Sequence, residues 1–423
     1  MTYKIHPHLK SLKRSATLAI NEQCAKLTSA GITVTRFGFG QSPFPVPEFL
    51  VEELRKNAYR KEYLPVEGLY SLREAIAEYH SIADKIVMDP EGIIVGPGSK
   101  ELIFTLQLVT KGTTLIPSPC WVSYGPQADI VQKKIHYIQT QYEHSWRLLP
   151  HELESAIQFT DDPQLLILNY PGNPGGGSYS PDELAAIAEV CRKYGVLVLS
   201  DEIYGRLHHN NDHISIARYY PEGTIVSSGL SKWCGAGGWR LGHFAFPKEL
   251  LILKNMMTTI TSETFSCVAS PVQFAALKAY GNSPMINEYL FHCRRILKTI
   301  GNDCYYRLTS AGVRLIEPKG SFYLFPDFEN FRKNLEKREI DQASLLCDQL
   351  LQETGVALLP GSEFGRSKRE LNARLAYVNF DGSKALTISR KIPNNKDLTI
   401  NNLIDVTANI TAGINHIIQW IRN

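Results

Sequence analysis

Short apolar runs alternate with amphipathic stretches through the middle of the chain, and this alternation constrains the fold more than any other feature of the sequence. It is typical of β-strands connected by helices, which pair into a largely parallel sheet. The run 165–168 is continuously apolar, as expected for a strand buried on both faces. The next unit opens a helix at Ser180, with a proline and a glutamate at capping positions, and this helix ends at Gly195. We therefore predict an α/β sheet with right-handed crossovers.

Polar residues that can carry chemistry stand just past the ends of the predicted strands. Gly98 with Ser99, and then Asn173, Asp201 and Lys232, each occupy such a position. Ligands of open α/β sheets bind beyond the carboxyl ends of the strands, so we expect these residues to meet in one site. The predicted strands are residues 93–95, 114–117, 134–138, 165–168, 196–199 and 224–226.

The charge balance excludes several classes of protein. The 423 residues include 45 lysines and arginines and 42 aspartates and glutamates, for a formal net charge of +3. A nucleic-acid-binding or membrane-surface protein would need a concentrated basic excess. With 43% hydrophobic and 21% charged residues, the chain is also too apolar to be disordered. We therefore predict neither a nucleic-acid nor a membrane partner.

The eight cysteines stand singly, without a C-x-x-C pair. A disulfide-built fold would be denser in cysteine, and zinc ligands would be clustered, so we predict buried thiols and no metal site. The first twenty residues lack the apolar segment of a secretory signal, and no stretch approaches the about 18 apolar residues that cross a bilayer. The expected location is the cytoplasm.

Taken alone, each polar motif leaves an ordinary structural explanation open. Residues 96–100, Gly-Pro-Gly-Ser-Lys, suit a phosphate cradle at a helix start or a tight turn, and match neither common nucleotide fingerprint. Asn173 is a ligand-binding amide or part of a plain loop, and Asp201 is a functional carboxylate or a helix cap. Lys232 is more telling, because a lysine beside a buried sheet needs a role. Arg240 follows a glycine pair that could bring it back towards the same pocket.

Together and in order, these motifs resemble those of the class I/II aminotransferases, the pyridoxal-phosphate enzymes of fold type I in the aspartate aminotransferase superfamily. The resemblance extends over nearly the whole chain and rests on the ordered set, since each motif is weak alone. The set comprises Tyr63-x-Pro65-x-x-Gly68-x-x-x-Leu72-Arg73, Gly98-Ser99, Trp121, Asn173-Pro174, Asp201-x-x-Tyr204, Ser231-Lys232, Gly238-Trp239-Arg240-x-Gly242, Pro360-Gly361-x-x-Phe364-Gly365 and Arg374.

The resemblance implies a pyridoxal 5'-phosphate-dependent aminotransferase in which Lys232 is the catalytic amine. Lys232 would form a Schiff base with the cofactor aldehyde and then shuttle the proton between the substrate Cα and the cofactor. Both tasks need an amine that can be neutral near pH 7, which burial and a neighbouring cation favour. Asp201 would pair with the protonated pyridine nitrogen. Tyr204 and Asn173 would hydrogen-bond the phenolic oxygen, and Trp121 would stack on the ring.

The cofactor phosphate, by the same resemblance, would be held by Arg240 together with Gly98, Ser99 and Lys100. Tyr63 would reach this phosphate from a second subunit, which implies an obligate homodimer with shared sites.

The substrate would be held through its α-carboxylate. The resemblance assigns this group to Arg374, whose guanidinium can bind a carboxylate in a bidentate fork that lysine lacks. The Gly40 amide is the expected second donor, and Trp121 and Asn173 would also border the substrate.

Three motifs depart from the usual family pattern. Residues 173–176 read Asn-Pro-Gly-Gly where the family usually has Asn-Pro-Thr-Gly, and residues 40–44 read Gly-Gln-Ser-Pro-Phe in place of Gly-Glu-Pro-Asp-Phe. Gly229 replaces a serine three positions before the lysine, so that either Ser228 or Ser231 would supply this phosphate-binding hydroxyl. No essential group is lost, but substrate details are expected to differ.

The resemblance implies a large domain with a mixed, mostly parallel sheet flanked by helices, and a smaller α+β domain. We predict the large pyridoxal-phosphate domain at residues 46–285 and the small domain from both chain ends, residues 1–45 and 286–423. The character of the sequence changes near residue 286. The features expected after it are a helix at 288–303, a strand at 321–325, a charged helix at 332–339 and a loop at 393–396 before a C-terminal amphipathic helix.

Other functions remain open from the sequence. A β-elimination lyase or a decarboxylase on the same scaffold would share Lys232 and Asp201, although Arg374 mildly disfavours decarboxylation. A ligand-sensing module fused to a DNA-binding domain would need roughly 60–80 further residues before Tyr63. The amino donor is expected to be aspartate or glutamate, with aromatic or other amino acids close behind. Lys100, Arg14 or a residue of a second subunit would read its side chain.

Overall fold

A seven-stranded mixed sheet lies at the centre of the computed structural model, which describes residues 4–10, 12–281 and 283–423. The strands of the structure are β1 (Thr35–Arg36), β2 (Ile93–Gly96), β3 (Thr113–Ser118), β4 (Ile135–Gln139), β5 (Pro163–Asn169), β6 (Leu197–Asp201), β7 (Thr224–Gly229), β8 (Gly242–Ala245), β9 (Tyr323–Leu324), β10 (Val356–Ala357), β11 (Leu359–Pro360) and β12 (Ala373–Ala376). The strand order in the central sheet is β2-β8-β7-β6-β5-β3-β4, and of these described strands only β8 runs antiparallel to its neighbours. All six strands predicted from the apolar runs belong to this sheet.

Helices cover the sheet and form most of the rest of the molecule. They are α1 (Ala16–Ser29), α2 (Glu48–Asn57), α3 (Tyr70–Tyr79), α4 (Ser99–Val109), α5 (Tyr124–Ile130), α6 (Pro150–Phe159), α7 (Pro181–Tyr194), α8 (Leu251–Ser262), α9 (Ser270–Tyr280), α10 (Pro284–Ser310), α11 (Arg332–Glu336), α12 (Ala343–Thr354), α13 (Gly382–Lys391) and α14 (Ile404–Arg422).

The predicted cap of α7 is present. The Ser180 hydroxyl accepts from the Glu183 amide, and the Glu183 carboxylate accepts from the Ser180 amide. At the other end Gly195 takes the left-handed conformation that closes a helix. These local signals explain why the β5–α7–β6 unit could be predicted from sequence, and its strand β6 carries Asp201 to the edge of the sheet.

Two smaller sheets lie outside the central one, and the two-stranded sheet joins the two ends of the chain. Strand β1 pairs in parallel with β10, and β12 pairs with both β11 and β9. Helix α14 packs its buried residues, such as Ile414 and Ile417, into the core beside them. The boundaries at residues 45 and 286 stay a prediction, and residues 1–3, 11 and 282 of the predicted domains lie outside the described residues.

Three predicted elements have different bounds. The helix predicted at 288–303 extends over Pro284–Ser310. The strand predicted at 321–325 is paired only at Tyr323–Leu324, because Ser321 is left-handed and Pro326 has no amide to donate. The helix predicted at 332–339 ends at Glu336, because Glu339 turns left-handed and buries Ile340.

The eight cysteines form no disulfide in the described structure. All eight thiols are free, seven of them are buried, and Cys267 is partly exposed. No helix in the described part of the chain is long and apolar enough to cross a membrane.

Candidate active site

A cavity of about 470 Å³ opens at the carboxyl edge of the central sheet. It collects nearly all of the residues that the sequence pointed to, from positions more than 300 residues apart. The predicted residues that line it are Gly40, Ser99, Lys100, Trp121, Asn173, Asp201, Tyr204, Ser231, Lys232, Arg240 and Arg374.

Strand register explains this convergence. Asn169, which ends β5, pairs with Asp201, which ends β6, and Asp201 pairs with Ser227 of β7. Lys232 follows the end of β7 by three residues. The antiparallel strand β8 begins at the same edge, so that Arg240, just before it, is delivered there as well.

One end of the cavity is built to hold an anion. Gly98 has a φ of 90°, and helix α4 begins directly after it at Ser99, so its first amides face outwards. The Arg240 guanidinium donates to the carbonyls of Pro97 (3.0 Å) and Gly237 (2.8 Å), which fixes it beside this turn. Ser231 lines the cavity, whereas Ser228 is buried in β7 and does not line it.

Gly242 holds the turn at residues 98–99 in place through close backbone contact. A Cβ at this position would overlap the backbone of Gly98 (2.7 Å) and of Ser99. We expect Gly242→Ala to lower the free energy of unfolding by about 1–3 kcal/mol, because the turn must shift. Urea unfolding of the two proteins measures this loss.

Gly238→Ala is the matched control, because a Cβ at Gly238 has nothing within 4 Å. It should change the unfolding free energy by less than about 0.5 kcal/mol. Equal effects of the two substitutions would contradict the close contact at Gly242.

Lys232 is a half-buried lysine that forms no ion pair with a carboxylate among the described residues. Its Nζ donates to the Gly40 carbonyl at 3.2 Å. Burial, with the charges of Arg374 and Arg240 nearby, lowers the pKa of Lys232 to about 8. Roughly a tenth to a fifth of this amine is therefore neutral between about pH 7 and pH 7.4, whereas an ordinary lysine would be almost fully charged.

Asp201 lies opposite, nearly fully buried. Its Oδ2 accepts from the Tyr124 hydroxyl at 2.7 Å, while its Oδ1 is buried without a hydrogen-bond partner in the described structure. Burial raises the pKa of Asp201 to about 6, although the Tyr124 hydrogen bond opposes the shift. An ionised carboxylate with one unpaired oxygen can bind a cationic N–H group.

Arg374 is 1% exposed and points its guanidinium into the cavity. It donates to the Asn173 side chain at 3.1 Å and to the Gly38 carbonyl at 2.6 Å, and its Nε has no partner among the described residues. Neither acceptor is charged, so the guanidinium keeps its full positive charge for a carboxylate ligand.

Two predicted residues do not line the cavity. Gly98 lies directly behind Ser99, against Arg240. Tyr63 lies outside the cavity and is 89% exposed. Its predicted role involves a second subunit and remains a prediction.

Sequence reasoning missed two tyrosines of the site. Tyr124 bonds Asp201, and the Tyr323 hydroxyl lies 3.0 Å from that of Tyr204. Tyr323 also donates to Gly40 and carries the Arg374 guanidinium over its ring. Tyr124, three residues after Trp121, could have been suspected from this spacing, but nothing in the sequence signals Tyr323. The sequence analysis also missed three cavity-lining residues at the start of α1, which are Ser15, Thr17 and Leu18.

Comparison with known proteins decides the family. Residues 32–379 match the aminotransferase class I and II family. The chain belongs to this family. This aminotransferase chain is 32% identical to the aspartate aminotransferase of Bacillus subtilis over 385 residues, which cover 89% of this chain and 94% of that protein. It is 31% identical to the asparagine–oxo-acid transaminase of Streptococcus mutans, with 89% and 95% covered.

Solved structures of aminotransferases agree. The structure of the Thermus thermophilus aspartate aminotransferase with maleate superposes with a TM-score of 0.82 at 26% identity, covering 92% of this chain and 98% of that one. The predicted resemblance, the type I fold with its mostly parallel sheet, and the aminotransferase class of enzyme are therefore confirmed.

Proposed function

We propose that this aminotransferase uses pyridoxal 5'-phosphate to move the amino group of an L-amino acid to a 2-oxo acid, in two half-reactions at the cavity described above. The observation that carries this proposal is that Lys232, which is half-buried and has no carboxylate partner among the described residues, shares one cavity with the buried and unsatisfied Oδ1 of Asp201. A buried carboxylate oxygen without a partner is costly to a fold, and such groups are typical of functional sites.

The residues present fit the proposed cofactor. Ser99 and Arg240 would hold its phosphate, together with Ser231 and Lys100, because they surround the anion end of the cavity. Asp201 would accept from its pyridine N–H, and Trp121 would cover its ring. When bound, the cofactor supplies an aldehyde that takes up the amino group and a ring that withdraws electrons from the substrate Cα.

Lys232 would serve as the base. As a neutral amine, Lys232 would take the proton from the substrate Cα, and as an ammonium it would hold this proton and give it back, so that no net proton is consumed. A pKa of about 8 suits both directions, because the amine and the ammonium are both populated near that pH.

Tyr204, supported by Tyr323, would hold the phenolic oxygen of the cofactor. The Tyr204 and Tyr323 hydroxyls lie 3.0 Å apart, and both pKa values are raised by burial. Both hydroxyls therefore stay protonated. Tyr204 would donate to the cofactor's phenolic oxygen when Tyr323 donates to Tyr204 instead of to the Gly40 carbonyl. Asn173 would donate through its side-chain N–H₂ group, since its Oδ1 accepts from Arg374.

Arg374 would bind the substrate α-carboxylate and so select amino acids over simple amines. Gly40 borders the same space through its backbone, as predicted from the resemblance. The amino donor we propose is a dicarboxylic amino acid, aspartate or glutamate. The support for this donor is the names of the relatives, since Lys100 is already assigned to the phosphate and Arg14 pairs with Glu22 at the surface without lining the cavity.

A homodimer with shared sites is part of the proposal. The exposed Tyr63, together with exposed Tyr59 and Tyr70, gives this region an aromatic surface that a second subunit would cover. Sedimentation at decreasing concentration should show a dimer, and a monomer that retains full activity would contradict shared sites.

Two experiments test the proposed function. Borohydride reduction of the holoenzyme followed by peptide mass mapping should leave a pyridoxyl group on Lys232 and on no other lysine. A single-turnover screen of the twenty amino acids, followed by cofactor absorbance, should show the fastest change with aspartate or glutamate. Label on another lysine would contradict the assignment of Lys232, and a preference for apolar amino acids would contradict the proposed donor.

We expect the ionised Asp201 side chain to lower the free energy of unfolding of the apoprotein. Its folded-state pKa of about 6 exceeds the value of roughly 3.9 in an unfolded chain. The folded protein therefore binds this proton more tightly, and wild-type stability falls as the pH rises from about 4 through about 6. The Asp201→Asn variant escapes this loss, because the amide has no charge to bury, and its oxygen still accepts from Tyr124.

We expect apo Asp201→Asn to be more stable than apo wild type at pH 8, by on the order of 2–3 kcal/mol, and equally stable near pH 4. Its affinity for the cofactor should fall, since the pyridine N–H loses an anionic acceptor. Urea unfolding of both apoproteins at the two pH values is the measurement. A stability difference that does not change with pH would show that the Asp201 charge is not its cause.

A further inference from the structure

A second cavity, of about 340 Å³, shares no lining residue with the active site. Its wall begins at Gly205 and Arg206, directly after Tyr204, and is completed by the end of α3, the start of α10 and His213. This volume is in the range of sites for small molecules.

Two arginines in this wall lack a counter-ion. Neither Arg206 nor Arg294 lies within 4 Å of a carboxylate in the described part of the chain, and Arg294 donates only to the Arg206 carbonyl at 3.3 Å. Burial, reinforced by the charge of Arg206, lowers the pKa of Arg294 to about 10. Two adjacent, half-buried guanidinium groups without an anion between them repel each other.

Two buried side-chain nitrogens at this cavity also have no hydrogen-bond partner among the described residues, and they are Arg206 Nη1 and His213 Nδ1. The His213 side chain is only 7% exposed, and its Nε2 lies 2.8 Å from Glu202 Oε2. Burial disfavours the charged ring, but the charge and hydrogen bond of Glu202 outweigh it and raise the pKa of His213. When the ring is charged, Nδ1 carries a proton that has no acceptor in the described structure.

The acidic residues of the wall do not provide it. The Asp84 carboxylate lies 2.7 Å from His80 Nδ1, and although its charge also acts on Arg206 and His213, it forms no ion pair with either arginine among the described residues. Glu78 is exposed and forms no ion pair with either arginine. Its side chain stands at the surface, where water solvates it.

The donors are held rigidly in place. The Arg206 guanidinium lies between the rings of Tyr79 (4.5 Å) and Trp233 (4.2 Å). The His213 ring packs against Gly205, where a Cβ would stand 2.8 Å from the ring. A site whose donors are already ordered binds an anion with little further loss of entropy.

We propose that this cavity is a second ligand site, which binds a small carboxylate or phosphate oxyanion between Arg206, Arg294 and His213 Nδ1. The fork geometry of the two guanidinium groups matches the oxygens of such an anion. Tyr79 and Tyr280 provide apolar walls for the rest of the molecule.

Equilibrium dialysis of the holoenzyme against labelled malonate tests this site. Wild type should bind one malonate at the active site and a second one per chain. Arg294→Gln should weaken the second site at least about tenfold and leave the first unchanged, because this variant removes one guanidinium of the anion site. Arg374→Ala should do the reverse, so that failure of this site and failure of the proposed active site give different results.

Arg295→Gln is the matched control, because its guanidinium donates to the Ile392 carbonyl and does not line the cavity. Should Arg294→Gln not fold, Arg294→Lys keeps the charge and should still weaken the second site, since the fork is lost. Competition by inorganic phosphate would indicate a general oxyanion site, and malonate binding without competition would indicate a carboxylate site. A single malonate per chain in wild type, or a second site that is unchanged in both Arg294 variants, would overturn the proposal.

Discussion

The Lys232→Ala variant is expected to lose at least about 10⁴-fold in kcat for transamination. Loss of a general base alone lowers rates by about 10²- to 10⁴-fold, and this variant also loses the amine that attaches the cofactor. No other lysine can substitute, because Lys100 sits at the anion end of the cavity with Arg240 beside it. Steady-state assays with the preferred amino acid and 2-oxo acid measure the loss.

The variant should fold normally. Within the described part of the chain, Lys232 makes one weak hydrogen bond and no ion pair, and burial disfavours its charge, so its removal leaves few polar groups unsatisfied. The control is Lys248→Ala, whose lysine is 86% exposed and should be dispensable. Turnover by a folded Lys232→Ala variant within tenfold of wild type would refute the proposed mechanism.

The Arg374→Ala variant is expected to lose about 10²- to 10⁴-fold in kcat/KM for amino acids. Removal of one partner of a buried charged pair costs about 2–5 kcal/mol, and the substrate α-carboxylate would be left without its cation. Arg374→Lys should recover little, because an ammonium lacks the planar fork and would leave Asn173 and Gly38 partly unpaired. The ratio of kcat/KM for an amino acid to that for the corresponding amine should fall in both variants.

Arg369→Ala is the control for a general charge effect, because this arginine is exposed on the segment just before β12. It should leave kcat/KM within about twofold of wild type. An unchanged preference for amino acids over amines in the Arg374 variants would show that another group binds the α-carboxylate.

Local signals made most of the sheet predictable from sequence. The continuous apolar run before Asn169 and the capping residues of α7 define one βαβ unit almost completely. Strand β8 escaped prediction, because Gly242–Ala245 is short and has a buried histidine at its second position. Its place in the sheet depends on partners from β2 and β7, which no local pattern reveals.

The site was predictable only as an ordered set of motifs, and its supporting residues were not. Tyr124 meets Asp201 across 77 positions of sequence, and Tyr323 meets Tyr204 across 119. Such contacts follow from how the elements pack, so a single sequence does not show them. The same is true of Arg206 and Arg294, which come together only because α10 passes behind the segment after Tyr204.

The replacement of the family's usual serine by Gly229 also has a physical cause. A Cβ at Gly229 would lie 2.7 Å from the Cα of Gly242 and 2.8 Å from the Leu241 carbonyl oxygen. Serine does not fit there without moving β8, and Ser231 already lines the cavity. Strands β7 and β8 therefore approach each other too closely at position 229 for a serine side chain, which explains why the usual serine is replaced by glycine.

Transfer of the amino group to a 2-oxo acid, without its release as ammonia, is what distinguishes the proposed reaction from an elimination. The most direct measurement mixes the holoenzyme with its preferred amino acid in the absence of any 2-oxo acid and quantifies the products. The proposed reaction predicts one equivalent of 2-oxo acid per active site, no ammonia, and resumed turnover when a 2-oxo acid is added. Continuous release of ammonia without an acceptor would contradict the account and indicate an elimination reaction instead.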